Sequence, residues 1–229
     1  MLGYESENDP IIISNTSDYL SKTFFRMFLG LLATAFAAGY TYYSGLLAPI
    51  IESGAFVMLF IVEFILVIAF SAGFRKFSAG VVTALFFAYS IVNGITFSTL
   101  FAYFELSSIV YSFIGSAAIF GIMALIGKNT KADLTSFGTM LSVTLLVGCI
   151  VSIINLFVGN GLVDIALDWI ILFVFMGFTM YDMNKLTHLH NEGILNEEKL
   201  YVYGAMELYL DFINIFIRLL SIFGNARRD

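Results

Sequence analysis

The sequence predicts an all-α membrane protein, a seven-transmembrane helix bundle that forms a single integral membrane domain over residues 1–229. Three observations predict it. The 229 residues are 59% hydrophobic and 12% charged, against about 25% charged in an ordinary soluble domain. Apolar runs of roughly 20 residues recur along the chain, which is the length a helix needs to cross the hydrocarbon. These runs are apolar on every side, unlike the short alternating strands of a membrane β-barrel.

Seven segments meet the length requirement, and their short connections make neighbouring helices antiparallel. Residues 1–22 are expected to be a solvated N-terminal tail, because the first part of the chain is acidic and has no basic residue before Lys22. The predicted spans are residues 24–44, 55–74, 80–104, 109–127, 137–158, 165–183 and 200–223.

The basic residues of the connections predict the orientation. Lysine or arginine occurs after spans two, four and six, whereas the connections after spans one, three and five have neither. By the positive-inside rule, the basic connections and the N-terminus lie in the cytoplasm. The C-terminus then lies outside, although it contains Arg227 and Arg228. Either this tail is a tolerated exception, or the seventh segment does not cross fully.

Several classes of protein are excluded by composition and by missing motifs. The formal net charge of −6 argues against a nucleic-acid partner, and the single cysteine excludes a disulfide framework. The last span has no lysine for a retinal-type Schiff base. His188 and His190 fall in the predicted loop after span six, so no histidine base lies at membrane depth, and no HExxH motif occurs. We therefore expect no enzyme and no cofactor.

Ionisable residues inside the spans are the candidate functional residues, since each costs about 2.5–3.5 kcal/mol at the bilayer centre. Glu63 lies near the middle of span two, and Asp182 lies near the cytoplasmic end of span six. For Asp168, at the outer end of span six, a helix N-terminus favours an acid, and we expect that role.

Span seven has polar residues at intervals of four, three and four, which places them on one stripe of the helix. A helix with such a stripe is expected at the centre of the bundle. The stripe consists of Glu207, Asp211, Asn214 and Arg218.

Asp182 and Asp211 are predicted to meet, because spans six and seven form a hairpin in which both acids lie in the cytoplasmic half. Two carboxylates in a low-dielectric site cannot both stay ionised without a large cost, so such a pair titrates with pH. A static latch is the alternative, with each acid paired separately to Arg75, Lys76 or Arg218. For Glu207 and Arg218 themselves, a structural role is favoured over a functional one.

Two segments carry a family resemblance: MYDMN at residues 180–184 and LYLDFINIF at residues 208–216. They resemble the paired signatures of the Bax inhibitor-1 family, also called the transmembrane BAX inhibitor motif family, and the similarity extends over nearly the whole seven-span layout. The resemblance implies a pH-sensitive calcium leak channel in which Asp182 and Asp211 are the pH-sensing pair and Arg75 is the closing latch. The Lys-rich C-terminal tail of eukaryotic members is absent, which favours a bacterial-type protein of the plasma (inner) membrane.

The acids offer too few oxygen ligands for tight calcium binding, which prefers six to eight. We expect Asp182 and Asp211 to bind Ca²⁺ weakly and transiently, as conduction requires. Ca²⁺ is then the permeant ion, and the expected partners are the lipid bilayer, Ca²⁺ and protons, with a monomer as the default. A proton-coupled secondary transporter, or a regulator that binds a membrane protease or a cell-death protein, remains open. Candidates for the ion path or gate are Glu63, Glu207, Asn214 and Arg218.

Overall fold

The computed structural model describes residues 15–192 and 197–227, which form eight α-helices. Within these ranges there is no β-strand, only an isolated antiparallel bridge between Phe104 and Ala226. The all-α prediction is therefore confirmed for the described residues. The helices are α1 (Thr16–Tyr43), α2 (Leu47–Glu52), α3 (Ala55–Gly73), α4 (Ala79–Tyr103), α5 (Leu106–Asn129), α6 (Thr135–Val158), α7 (Gly161–Glu192) and α8 (Glu197–Phe223).

Residues 16–22 of the predicted solvated tail belong to helix α1. Asn15 caps this helix, since its side-chain oxygen accepts a hydrogen bond of 3.1 Å from the backbone N–H of Ser17, a common way to satisfy a first-turn donor. Tyr19, one turn into the helix, is completely buried. Residues 1–14 of the predicted tail lie outside the described residues.

Helix α7 continues beyond residue 183, the predicted end of span six, to Glu192. No glycine or proline interrupts residues 178–192, and the extension packs against α1. The rings of Tyr19 and His190 stack with their centroids 4.4 Å apart. His188 and His190 are therefore helical residues, and the loop predicted there begins later.

Six helices in the described ranges are long and apolar enough to cross a membrane, namely α1, α3, α4, α5, α6 and α7. The remaining long helix, α8, has 27 residues, which at 1.5 Å per residue extend about 40 Å. It is rich in charged residues and is not among the six. The very short α2 lies in the first connection, where the sequence predicted no helix.

Helix α8 contacts α1, α4, α5 and α7, and buried side chains occur along most of its length. At its start, the Tyr201 ring lies beside Lys22 and Arg26 of α1. Beyond its other end, Ala226 pairs with Phe104 at the end of α4. The helix thus extends from one end of the α1–α4 pair to the other.

Glycine allows α1 and α4 to approach closely. A Cβ atom added at Gly94 of α4 would overlap the Thr34 carbonyl oxygen and lie 2.7 Å from the Cβ of Ala37 on α1. Small residues at helix crossings let backbones come together in membranes, where van der Waals contact is a main driving force for association.

We predict that Gly94→Ala destabilises the protein by about 1–3 kcal/mol, the usual cost of overpacking. The measurement is thermal unfolding in detergent. Gly39→Ala is the matched control. Gly39 is also a helical glycine, on α1, and a Cβ added there meets no atom within 4 Å. Equal stability of the two variants would show that the α1–α4 approach does not depend on Gly94.

Candidate functional site

Three carboxylates and one ammonium group meet between α7 and α8. Asp182 and Lys185 lie about one turn apart on α7, and Glu207 and Asp211 lie one turn apart on α8. Residues three or four positions apart project from the same face of a helix, so each helix presents two charged groups to its neighbour. We call Asp182, Glu207 and Asp211 the acid cluster.

The Lys185 ammonium lies between two members of the acid cluster. Its Nζ is 3.0 Å from Oδ1 of Asp182 and 2.7 Å from Oε2 of Glu207, and it donates a 2.8 Å hydrogen bond to Oε1 of Glu207. Tyr181 of α7 and Tyr203 of α8 each have a ring centroid 5.4 Å from Nζ. The ammonium is thus flanked by two carboxylates and two aromatic rings.

Asp211 is the most buried member of the acid cluster, with 3% of its surface exposed. Asp182 and Glu207 are near enough to interact with it electrostatically, and the Thr179 hydroxyl lies beside its carboxyl. Among the described residues, its Oδ2 atom has no hydrogen-bond donor. Since buried polar groups are usually paired, this oxygen is available to a proton or a cation.

A cavity of about 360 Å³ reaches Lys185 from the end of the bundle where α6 begins. Asp133, at its rim, accepts hydrogen bonds from the hydroxyl (2.6 Å) and the backbone N–H (2.9 Å) of Thr135. These bonds lower the pKa of the Asp133 carboxyl, which keeps it ionised. We call this space the α6–α7 cavity; its polar lining includes Lys131, Asp133, Thr135, Tyr181, Asn184, Lys185 and His188.

Arg75, the predicted latch, is exposed just beyond the end of α3. In the part of the chain that the structure describes it forms no ion pair, and Lys185 is the cation beside Asp182. From the sequence, Lys185 was assigned only to the basic connection after span six, which was used to predict the orientation. Its spacing of three residues from Asp182 was the signal that could have identified it.

Glu63 belongs to a second polar group, at the contact of α3 with α4. The Thr96 hydroxyl donates a 2.6 Å hydrogen bond to its carboxylate. Nearby, the Tyr209 hydroxyl of α8 donates to Oδ1 of Asn93 at 3.0 Å and shares a 2.6 Å hydrogen bond with Thr34 of α1. These hydrogen bonds link α1, α4 and α8, and they were not predicted, because Thr34 and Tyr209 carry no charge and resemble ordinary span residues.

The other residues of the predicted α8 stripe do not join the acid cluster. Asn214 donates a 2.8 Å hydrogen bond to the Leu210 carbonyl of its own helix. Arg218 donates a 2.6 Å hydrogen bond to Asp168 of α7, whose second oxygen accepts from Ser221 at 2.5 Å. Asp168 is not in the first turn of α7, which begins at Gly161, so its expected role at a helix N-terminus is wrong.

No group of three or more His, Cys, Asp or Glu side chains is arranged to hold a metal ion within residues 15–192 and 197–227.

Comparison with known proteins places the chain among bacterial membrane proteins. Residues 16–228 match the family model described as inhibitor of apoptosis-promoting Bax1. The chain is similar to the inner membrane protein YbhL of Escherichia coli strain K12, with 38% identity over 91% of this chain and 92% of that protein. It is also similar to a protein of Borreliella burgdorferi, with 32% identity over the full length of both. A membrane protein of Streptococcus pyogenes serotype M1 shares 34% identity over 72% of each chain.

We predict that Arg218→Met lowers the free energy of unfolding by about 2 kcal/mol, the scale of a hydrogen bond to a charged group, because Asp168 then keeps only the Ser221 hydroxyl. Unfolding in detergent measures it. The double variant Arg218→Met/Asp168→Asn is the control and should lose less than the two single variants combined. Simple additivity would mean that the pair does not couple α7 to α8.

Proposed function

Because the chain belongs to the Bax inhibitor family of membrane proteins, we propose that it is a calcium leak channel that responds to pH, rather than an enzyme. One observation carries the proposal: Asp182 and Asp211 of the acid cluster are buried at the contact of α7 and α8, and Asp211 has an oxygen without a hydrogen-bond donor among the described residues. Buried acids of this kind in a membrane bundle mark ion and proton pathways.

We propose that α8 is a seventh span and the central helix of the bundle. Its contacts with α1, α4, α5 and α7 support this, as does its extent from Tyr201, beside Lys22, to the tail that pairs with Phe104. A polar stripe is tolerated in a span that other helices surround. The proposed orientation has the N-terminus in the cytoplasm and the protein in a bacterial inner membrane, in keeping with the basic connections and with the name of the Escherichia coli relative, an inner membrane protein.

In this proposal, Ca²⁺ moves down its gradient along α8, and ionised Asp182 and Asp211 attract it. Three carboxylates are too few for the six to eight oxygens that Ca²⁺ prefers, so binding is weak enough for the ion to leave. Protonation of the acids removes the attraction and closes the path. Glu63, held by Thr96 at 2.6 Å, is the proposed ligand in the other half of the bundle, and the exposed Arg75 remains a candidate latch that has to move to reach Asp182.

We predict that Asp211→Asn lowers Ca²⁺ flux into proteoliposomes about tenfold or more. One charged interaction contributes about 1.5–3 kcal/mol, and tenfold corresponds to about 1.4 kcal/mol. Flux through the wild type should rise as the pH is raised through the range in which the acids lose protons, and the variant should lose this dependence. Asp18→Asn, which removes an exposed carboxylate of α1, is the matched control.

Unchanged flux and unchanged pH dependence in Asp211→Asn would overturn the assignment. Proton movement that depends on a second substrate would instead indicate a coupled transporter, since a leak channel moves Ca²⁺ without such coupling.

A further inference from the structure

We propose that Lys185 is a built-in competitor of the permeant cation: its ammonium fills the place between Asp182 and Glu207 that a cation would take, and it must withdraw before a cation binds. This inference rests on the proposed function, because it concerns the regulation of the same acid cluster. It differs from a latch that reaches across from another helix, since Lys185 lies on α7, the helix that carries Asp182.

The distances place the ammonium where a cation would bind. Nζ lies 3.0 Å from Asp182 and 2.7 Å from Glu207, and Ca²⁺ binds carboxylate oxygens at about 2.3–2.6 Å. An ion that bridges the same two carboxylates would therefore overlap Nζ. The two groups cannot occupy the acid cluster together.

The acid cluster retains an attraction for cations while Lys185 is bound. Its three carboxylates and the single ammonium have a formal excess of two negative charges when all are ionised. Asp211 contributes an oxygen that Lys185 does not contact and that has no donor among the described residues. Asp211 forms no ion pair within the described residues, so its negative charge is not neutralised by Lys185.

Lysine is suited to this role because its compact charge sits on a flexible four-carbon stem. The Lys185 side chain lines the α6–α7 cavity, and 26% of it is exposed, so the ammonium has a space to move into. The Tyr181 and Tyr203 rings, each 5.4 Å from Nζ, flank it without forming an ion pair. The proposed withdrawal is a rotation of the side chain into this cavity.

When the ammonium occupies the acid cluster, a cation cannot bind there. The apparent affinity for the cation is therefore the intrinsic affinity multiplied by the fraction of molecules in which the acid cluster is free. If Lys185 occupies the acid cluster in about 90% of molecules, the apparent affinity is about one tenth of the intrinsic value. Removing the ammonium should therefore strengthen cation binding without adding any ligand.

The test compares four variants with two measurements. The first is Ca²⁺ flux into proteoliposomes. The second is the Ca²⁺ concentration needed to raise the thermal unfolding temperature in detergent, and it reports Ca²⁺ binding independently of flux. Lys185→Met should increase flux and lower that concentration about tenfold. Lys185→Arg should decrease flux, because a planar guanidinium holds two carboxylates more firmly.

The double variant Lys185→Met/Glu207→Gln distinguishes the loss of the competing ammonium from a change in net charge. It removes one positive and one negative charge, so the formal excess of two negative charges is kept. It should bind Ca²⁺ more tightly than the wild type, and it decides the question if Lys185→Met alone does not fold. Lys22→Met is the matched control and should behave as the wild type. Lys22 also pairs with an acid of its own helix, at 2.7 Å, and lies 5.3 Å from a tyrosine ring.

The inference is wrong if the folded Lys185→Met variants neither bind Ca²⁺ at lower concentration nor conduct faster than the wild type, or if Lys185→Arg conducts as well as the wild type. The two proposals fail separately. Tighter Ca²⁺ binding in the double variant with no flux through any variant supports the role of Lys185 and rejects the leak channel. Ca²⁺ flux that is lowered by Asp211→Asn but unchanged in the Lys185 variants supports the leak channel and rejects the role of Lys185.

Discussion

An ammonium group between two carboxylates makes three acids tolerable at the contact of α7 and α8. Each charge removed from water carries a desolvation cost of several kcal/mol, and only close opposite charges and hydrogen bonds offset it. Lys185 supplies both at 2.7–3.0 Å from Asp182 and Glu207. The pairing also constrains the helices, since α8 can slide along α7 only by separating these groups. The Asp168–Arg218 pair imposes the same constraint elsewhere along the two helices.

The sequence predicted the features that depend on composition and helical period. The long helices and the ionisable residues within them follow from apolar run lengths. The proximity of Asp182 to Asp211 is a prediction from a hairpin of two antiparallel helices. The end of α7 was missed because polar residues after Asp182 were taken to indicate a loop, whereas packing of His190 on Tyr19 keeps them helical.

Which cation pairs with which acid was not predictable, because that choice depends on how helices approach in three dimensions. Arg75 and Lys185 both lie near the expected depth of Asp182, and the structure pairs the lysine. The hydrogen bonds of Tyr209 with Thr34 and Asn93 were missed for a different reason. Hydroxyl residues are common in membrane helices, where they bond their own backbone as well as their neighbours, so a lone Thr or Tyr gives no signal.

The position of α8 has a consequence for how the protein is made. This helix is synthesised after the other seven described helices, yet it supplies seven of the twelve largest fully buried side chains of the described residues, among them Leu208, Tyr209 and Ile215. Helices α1, α4, α5 and α7 therefore enter the membrane before the surface that they pack against exists. A charged helix that inserts poorly by itself gains a ready-made polar partner in Asp182, Lys185 and Asp168, already present on α7. Insertion of α8 and burial of these side chains are thus one event.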